Sequence, residues 1–192
     1  MSATLSPTEL KRLHRAWRRR SVFRLAVILD GVQNPFNVGT LLRSAAAWQA
    51  EAVWLVPPTP EPTHPKVAKT ALGCDRLVSW QTVASGAEAV GAARAAGFRV
   101  VAVELTQEAR PLFELDLGPA VCLVLGHEER GVAKETLRAV DAAGYLPLTG
   151  RVGSLNVAQA GTAALYEAAR QAWSRPEGDA AFPAGRSGHV TP

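Results

Sequence analysis

Apolar positions along the chain follow two patterns. Continuous runs rich in β-branched residues occur at 24–30 (RLAVILD), 52–56 (AVWLV), 99–105 (RVVAVEL) and 120–125 (AVCLVL). Such runs suit strands covered on both faces, as in a parallel sheet. Shorter strands are predicted at 77–80 and 145–148. Helical spacing predicts helices over 6–20, 37–48, 64–72, 84–96, 132–140 and 156–173. Strand and helix alternate throughout, so the expected class is α/β, with a mostly parallel sheet flanked by helices.

Local signals place the ends of these elements. Ser6 N-caps the first helix, Pro7 suits its first position and Glu9 completes a capping box. Asn37 is the expected N-cap of the second. Gly73 and Gly97 stop the third and fourth. The proline-rich stretch 57–65 reads as a surface loop. Gly39 is unexpected, because glycine in a first helical turn costs about 1 kcal/mol relative to alanine. Close approach of a backbone or a ligand would explain it.

At 192 residues the chain is long enough for one well-buried domain with short appendages. The net charge of +4 conceals an asymmetry. Residues 1–24 carry seven basic side chains against Glu9 alone, a local balance of +6 that leaves the remainder at −2. The organisation expected is a basic arm at 1–20, a folded domain at 21–173 and a disordered tail at 174–192. Lys11, Arg12, Arg15, Arg18, Arg19 and Arg20 cover the arm around a Leu10–Leu13–Trp17 stripe. They are the candidate contacts to the phosphates of a polyanion.

Several function classes are excluded. No G-x-G occurs, so a dinucleotide-binding fingerprint is missing. Gly126 and Gly131 have phosphate-loop spacing, but Val132 and Ala133 stand where Lys and Ser/Thr are needed. There is no G-x-S-x-G elbow. Cys74 and Cys122 form no CxxC pair, which points to a reducing cytoplasm. The four histidines show no zinc spacing, so no metal is expected. No apolar run reaches membrane-spanning length, and no apolar segment follows the basic residues as in a secretory signal.

Three stretches stand out: NPFNVGTLLR (34–43), LGHEERGV (125–132) and LPLTGRVGSLNVAQAGTAALYE (146–167). Each places polar residues or glycines where a strand gives way to a helix, and open α/β sheets bind ligands at such strand ends. Ser154 and Asn156 stand at a helix N-terminus, where free amides favour a negatively polarised group. The face Val157, Ala160, Gly161, Ala164, Leu165 and Ala168 is nearly all small, which suits tight packing or a dimer seam.

Together the three stretches resemble the three motifs of the SpoU/TrmH family of RNA ribose 2′-O-methyltransferases, over about 25–173. The first is Asn34-Pro35-x-Asn37-x-Gly39 with Arg43, the second Gly126-x-Glu128-x-x-Gly131. The third is Leu146-Pro147-Leu148 followed by Ser154-Leu155-Asn156-Val157. The resemblance implies a sheet whose C-terminal part is threaded into a trefoil knot, an exception to the usual absence of knots. It also implies S-adenosylmethionine as cofactor, held near Val103, Gly126, Leu146, Ser154 and Leu155, and a homodimer. Leu148 and Ala158 depart from the Met and Ser frequent in the family.

By that resemblance Arg43 is the catalytic arginine, with Asn37, Glu128, Ser154 and Asn156 orienting it and the ribose. Two roles stand for Arg43. A guanidinium holds its proton far above neutral pH and is a reluctant base. It either loses its proton to its setting or stays charged and stabilises the developing alkoxide. The expected activity is methyl transfer to a ribose 2′-hydroxyl of tRNA. The same reaction on rRNA, methylation of a base, and a non-catalytic RNA-binding protein are the alternatives, with the serine–asparagine third motif favouring ribose.

Overall fold

In the computed structural model the chain is described for residues 4–20 and 23–175, and at Arg20 for the backbone alone. Helix α1 (Pro7–Arg20) precedes seven strands: β1 (Arg24–Asp30), β2 (Ala52–Val56), β3 (Ser79–Thr82), β4 (Arg99–Val103), β5 (Arg110–Pro111), β6 (Ala120–Gly126) and β7 (Ala142–Tyr145). They form one sheet in the order β3-β2-β1-β6-β4-β7-β5. Every pairing is parallel. The remaining helices are α2 (Pro35–Ala47), α3 (Pro65–Ala71), α4 (Gly86–Ala95), α5 (Lys134–Ala139) and α6 (Val157–Trp173).

The pleat divides each apolar run between two cores. Leu25, Val27 and Leu29 of β1 join Leu123 and Leu125 of β6 on one face, against Leu41 and Leu42 of α2 and Leu165 of α6. Ala26 and Ile28 join Cys122 and Val124 on the other, against Ala89, Val90 and Ala93 of α4. This two-sided burial is why these strands read as unbroken apolar runs.

Several boundaries differ from expectation, each for a local reason. Asn34 rather than Asn37 N-caps α2, its side chain accepting the Phe36 N–H at 2.9 Å. Asn37 lies inside the first turn and is buried. The strand expected at 145–148 is β7, Ala142–Tyr145, because Pro147 cannot continue it and Ala142 and Ala143 pair with β4. The strand expected at 77–80 is β3, Ser79–Thr82, after a 3₁₀ turn at Cys74–Leu77. Helix α5 starts at Lys134, later than the expected 132.

The capping box of α1 is formed: Ser6 donates to Glu9 from both N (2.8 Å) and Oγ (2.6 Å). Its apolar stripe is not packed away, since Leu10, Leu13 and Trp17 are each more than 40% exposed. Trp17 does pack against Trp173 of α6, with ring centroids 5.1 Å apart and the planes tilted by 51°. Lys11, Arg12, Arg15, Arg18 and Arg19 are exposed, and the Arg20 side chain lies outside the described residues. Of the tail, Ser174 caps α6 and Arg175 pairs with Asp116. Residues 176–192 lie outside the described residues.

The small face of α6 serves its own subunit. A Cβ on Gly161 would sit 2.4 Å from Leu41 Cδ2 and 2.6 Å from Leu125 Cδ1, so α6 descends onto α2 and β6 through this glycine. A Ser44–Thr162 hydroxyl pair at 2.8 Å ties the same two helices.

Gly39 has a matching explanation. An added Cβ would lie 2.7 Å from both the Val67 carbonyl oxygen and Thr70 Cβ. Helix α3 therefore crosses α2 at backbone contact distance. Gly39→Ala should destabilise the protein by about 1–3 kcal/mol through overpacking, against the roughly 1 kcal/mol that helix propensity would return. Thermal unfolding checks this, and an unchanged or raised Tm would contradict the close crossing.

Candidate active site

Strands β1 and β6 are neighbours running the same way, and the chain leaves them toward opposite edges of the sheet. Asp30 is level with Gly126 at their C-terminal ends. This is the switch point where open parallel sheets hold ligands. Three loops converge there: 31–34 after β1, 127–133 after β6 and 146–156 after β7.

Glu128 joins the first two. Its carboxylate accepts from the Gln33 N–H at 3.1 Å, the Asn34 N–H at 2.9 Å and Asn37 Nδ2 at 2.9 Å. Asn37 Oδ1 in turn accepts from Asn156 Nδ2 at 3.0 Å. Asn156 Oδ1 accepts the Ala158 and Gln159 N–H groups at 2.9 and 3.4 Å, capping α6. One line of hydrogen bonds thus runs from the second motif through the first to the third. Partial burial raises the Glu128 pKa, but the Asn37, Asn34 and Gln33 hydrogen bonds outweigh it and hold it below the ordinary carboxylate value.

The 127–131 loop is a tight fold-back. His127 and Gly131 exchange backbone hydrogen bonds at 3.0 and 2.9 Å. Gly126 has no room for a Cβ, which would fall 2.2 Å from both Gly131 C and Val132 N. Gly131 takes φ +68°, and its Cβ would overlap Glu104 Oε2 at 2.2 Å. The Glu104 carboxylate accepts the Val132 N–H at 2.9 Å, bracing the loop from the end of β4. On the far side the Asp30 carboxylate accepts the Ala133 N–H at 2.9 Å. Glu104 and Asp30 were not singled out from the sequence. Each is an acid ending an apolar strand run, which is the signal that could have marked them.

Val103, Gly126, Leu146, Ser154 and Leu155, the five residues expected to hold a cofactor, line one cleft of about 530 Å³. Glu104, Glu128 and Tyr145 also border it. Its size falls within the roughly 300–1,000 Å³ of small-molecule sites. Its lining mixes apolar side chains such as Val103, Leu146 and Leu155 with backbone at Gly126 and Gly131 and the carboxylates of Glu104, Glu128 and Glu129.

Asn37 and Asn156 stand behind Glu128 and do not line the cleft. Arg43 is not brought to it either. It lies exposed on α2 and has no hydrogen-bond or ion-pair partner among the described residues. Among those residues, no group of three or more His, Cys, Asp or Glu side chains could hold a metal. No helix there is long and apolar enough to cross a membrane.

Fold and site define a parallel α/β protein with a ligand cleft and an Asn–Glu–Asn network at its switch point. The chain belongs to the SpoU rRNA Methylase family, whose sequence profile matches residues 24–166. It is 33% identical over 151 residues to an uncharacterized tRNA/rRNA methyltransferase of Synechocystis, covering 79% of this chain and 55% of that one. It is 31% identical over 170 residues to the tRNA (guanosine(18)-2′-O)-methyltransferase of Escherichia coli, covering 87% and 72%. Among solved structures it resembles an AdoMet-bound rRNA methyltransferase from Sinorhizobium meliloti. There the TM-score is 0.71 and the identity 32%, over 77% of this chain and 56% of that one. The chain thus spans about half the length of the Synechocystis relative.

The hydrogen-bonded carboxylate yields a prediction with a definite sign. Because the folded-state pKa of Glu128 is depressed, its stabilisation of the loop pair is complete above the ordinary carboxylate value. That stabilisation is lost as pH falls through the depressed value. The Gln33 and Asn34 amide protons should titrate together in an NMR series, with a midpoint below that of a free glutamate. In Glu128→Gln the transition should vanish. Amides indifferent to acid would show the latch is not formed in solution.

Proposed function

We propose that this chain carries an S-adenosylmethionine-dependent RNA ribose 2′-O-methyltransferase that acts on tRNA. The observation that carries the proposal is the Glu128–Asn37–Asn156 network standing against a cleft lined by Val103, Gly126, Leu146, Ser154 and Leu155. The E. coli relative is named for a tRNA guanosine ribose and the S. meliloti structure for rRNA, so they support RNA of either kind, and the choice of tRNA rests on the short basic α1. The basic face of α1 supports an RNA partner. The trefoil knot, a homodimer and a cytoplasmic location belong to the same reading.

When bound, S-adenosylmethionine supplies an electrophilic sulfonium methyl for in-line attack by the ribose oxygen. The protein supplies position and electrostatics. Apolar side chains from β4, β6 and the 146–155 loop exclude water from the cleft. Glu128, pinned by three donors, holds the 127–131 loop and Asn37 in one geometry. Asn156 fixes the start of α6, so that Ser154 and Leu155 border the cleft. The role assigned to Arg43 is electrostatic: its guanidinium lies exposed on α2 outside this cleft, so it partners an RNA phosphate beside the reacting ribose rather than acting as a base.

The test is methyl transfer onto unmodified tRNA and rRNA transcripts, with mass-spectrometric mapping of any new 2′-O-methyl group. Arg43→Ala should lower kcat by about 10²-fold or more, the scale of losing one electrostatic stabiliser. Its cofactor affinity by calorimetry should stay unchanged. Near-normal turnover by that variant would remove Arg43 from the mechanism. Deleting residues 1–20 should weaken RNA binding and flatten its dependence on log salt, because phosphate contacts are lost. An unchanged slope would remove α1 from the RNA interface.

A further inference from the structure

A second cavity, of about 780 Å³, lies on the other side of Glu128 from the cleft. The two share His127, Glu128 and Glu129 as a common wall. Its remaining border includes Phe36, Lys66 and Arg130. Phe36 is 50% exposed, although it occupies the first turn of a helix whose other large apolar side chains are fully buried. Nothing in the core requires an aromatic ring at this position.

We infer that this cavity is the seat of the target nucleotide, with the Phe36 ring as a stacking platform for its base and Lys66 and Arg130 as partners for the flanking phosphates. The inference rests on the methyltransferase reading, because it takes the first cleft as the cofactor site. Given that reading, the acceptor ribose must meet the cleft at the border the two cavities share. Enzymes that work on single nucleotides take them out of the stack and hold the base on an aromatic face.

Two cations, Lys66 and Arg130, and two carboxylates, Glu128 and Glu129, border the cavity. Lys66 and Arg130 are exposed and form no ion pair among the described residues. The Glu128 carboxylate is occupied by its three donors, and His127 Nδ1 by the Glu129 and Arg130 amides at 3.0 and 3.4 Å. Glu129 is the one opposing charge at the rim whose side chain is not so engaged. Phe36 and Arg43 are seven residues apart on the same exposed side of α2, about 10 Å along its axis. A strand leaving the cavity along that side passes the arginine.

Filter binding and tritiated methyl transfer with bulk unmodified tRNA transcripts test this, beside calorimetry with S-adenosylmethionine. Phe36→Ala should raise KM for RNA about tenfold, the scale of one lost base–aromatic stack, with cofactor affinity unchanged. Phe36→Trp should restore it. Lys66→Ala and Arg130→Ala should each reduce the salt slope of RNA binding by roughly 0.7, as for one single-strand phosphate contact. RNA binding and turnover equal to wild type in Phe36→Ala would overturn the cradle alone. So would loss of RNA binding accompanied by a change of oligomeric state in light scattering, since Phe36 would then belong to a subunit contact. A wild-type protein that binds the cofactor yet neither binds nor methylates tRNA or rRNA would overturn the functional reading, and the cradle with it.

Discussion

The Glu128 carboxylate is the joint on which the candidate site depends. It takes two backbone amides and one side-chain amide from a segment 91 to 95 residues away in sequence. Ionised carboxylates form the stronger class of hydrogen bond, and an acceptor with several lone pairs can serve several donors. That bonding is possible because β1 and β6 are sheet neighbours in register, with Asp30 beside Gly126. The loops that follow them then start side by side. Asn37 passes the constraint on to Asn156, and so to the first turn of α6.

Glycine enters this arrangement as space. Gly126 and Gly131 let the 127–131 loop fold back on itself and let the Glu104 carboxylate reach the Val132 amide. Gly39 and Gly161 let α3 and α6 come down on α2 at distances a methyl group would forbid. The first pair shapes the cleft, and the second holds still the helix that carries Asn37. Both operate through close approach, where an added carbon must displace backbone or packed side chains.

Much of this was legible in the sequence. The buried runs at 24–30, 52–56 and 120–125 became strands over almost those residues, because apolar runs of five to seven residues rich in β-branched side chains are too short for a buried helix. Asn37 was misassigned as a cap because Asn at a helix start is ambiguous when Asn34 lies three residues earlier. Only the position of Glu128 decides which asparagine caps and which reaches across. The strand expected at 145–148 moved upstream because pairing with β4 outweighed the apolar character of Leu146 and Leu148. The small face of α6 pointed equally to a core and to a subunit seam. Gly161 against Leu41 and Leu125 places it in the core.

The sequence by itself determined the class of fold, the family and the three segments that meet at the strand ends. These follow from local periodicity and from residue types that survive without knowledge of neighbours. The tertiary structure decided what each polar residue touches. It put Asn37 and Asn156 behind Glu128 and opened a cleft between Val103 and Leu155. It left Arg43 and Phe36 on an exposed helix side, and brought Glu104 to a loop it does not adjoin in sequence. The reason is physical: a hydrogen bond or a close approach depends on distance in space, and that distance is set by strand order and register.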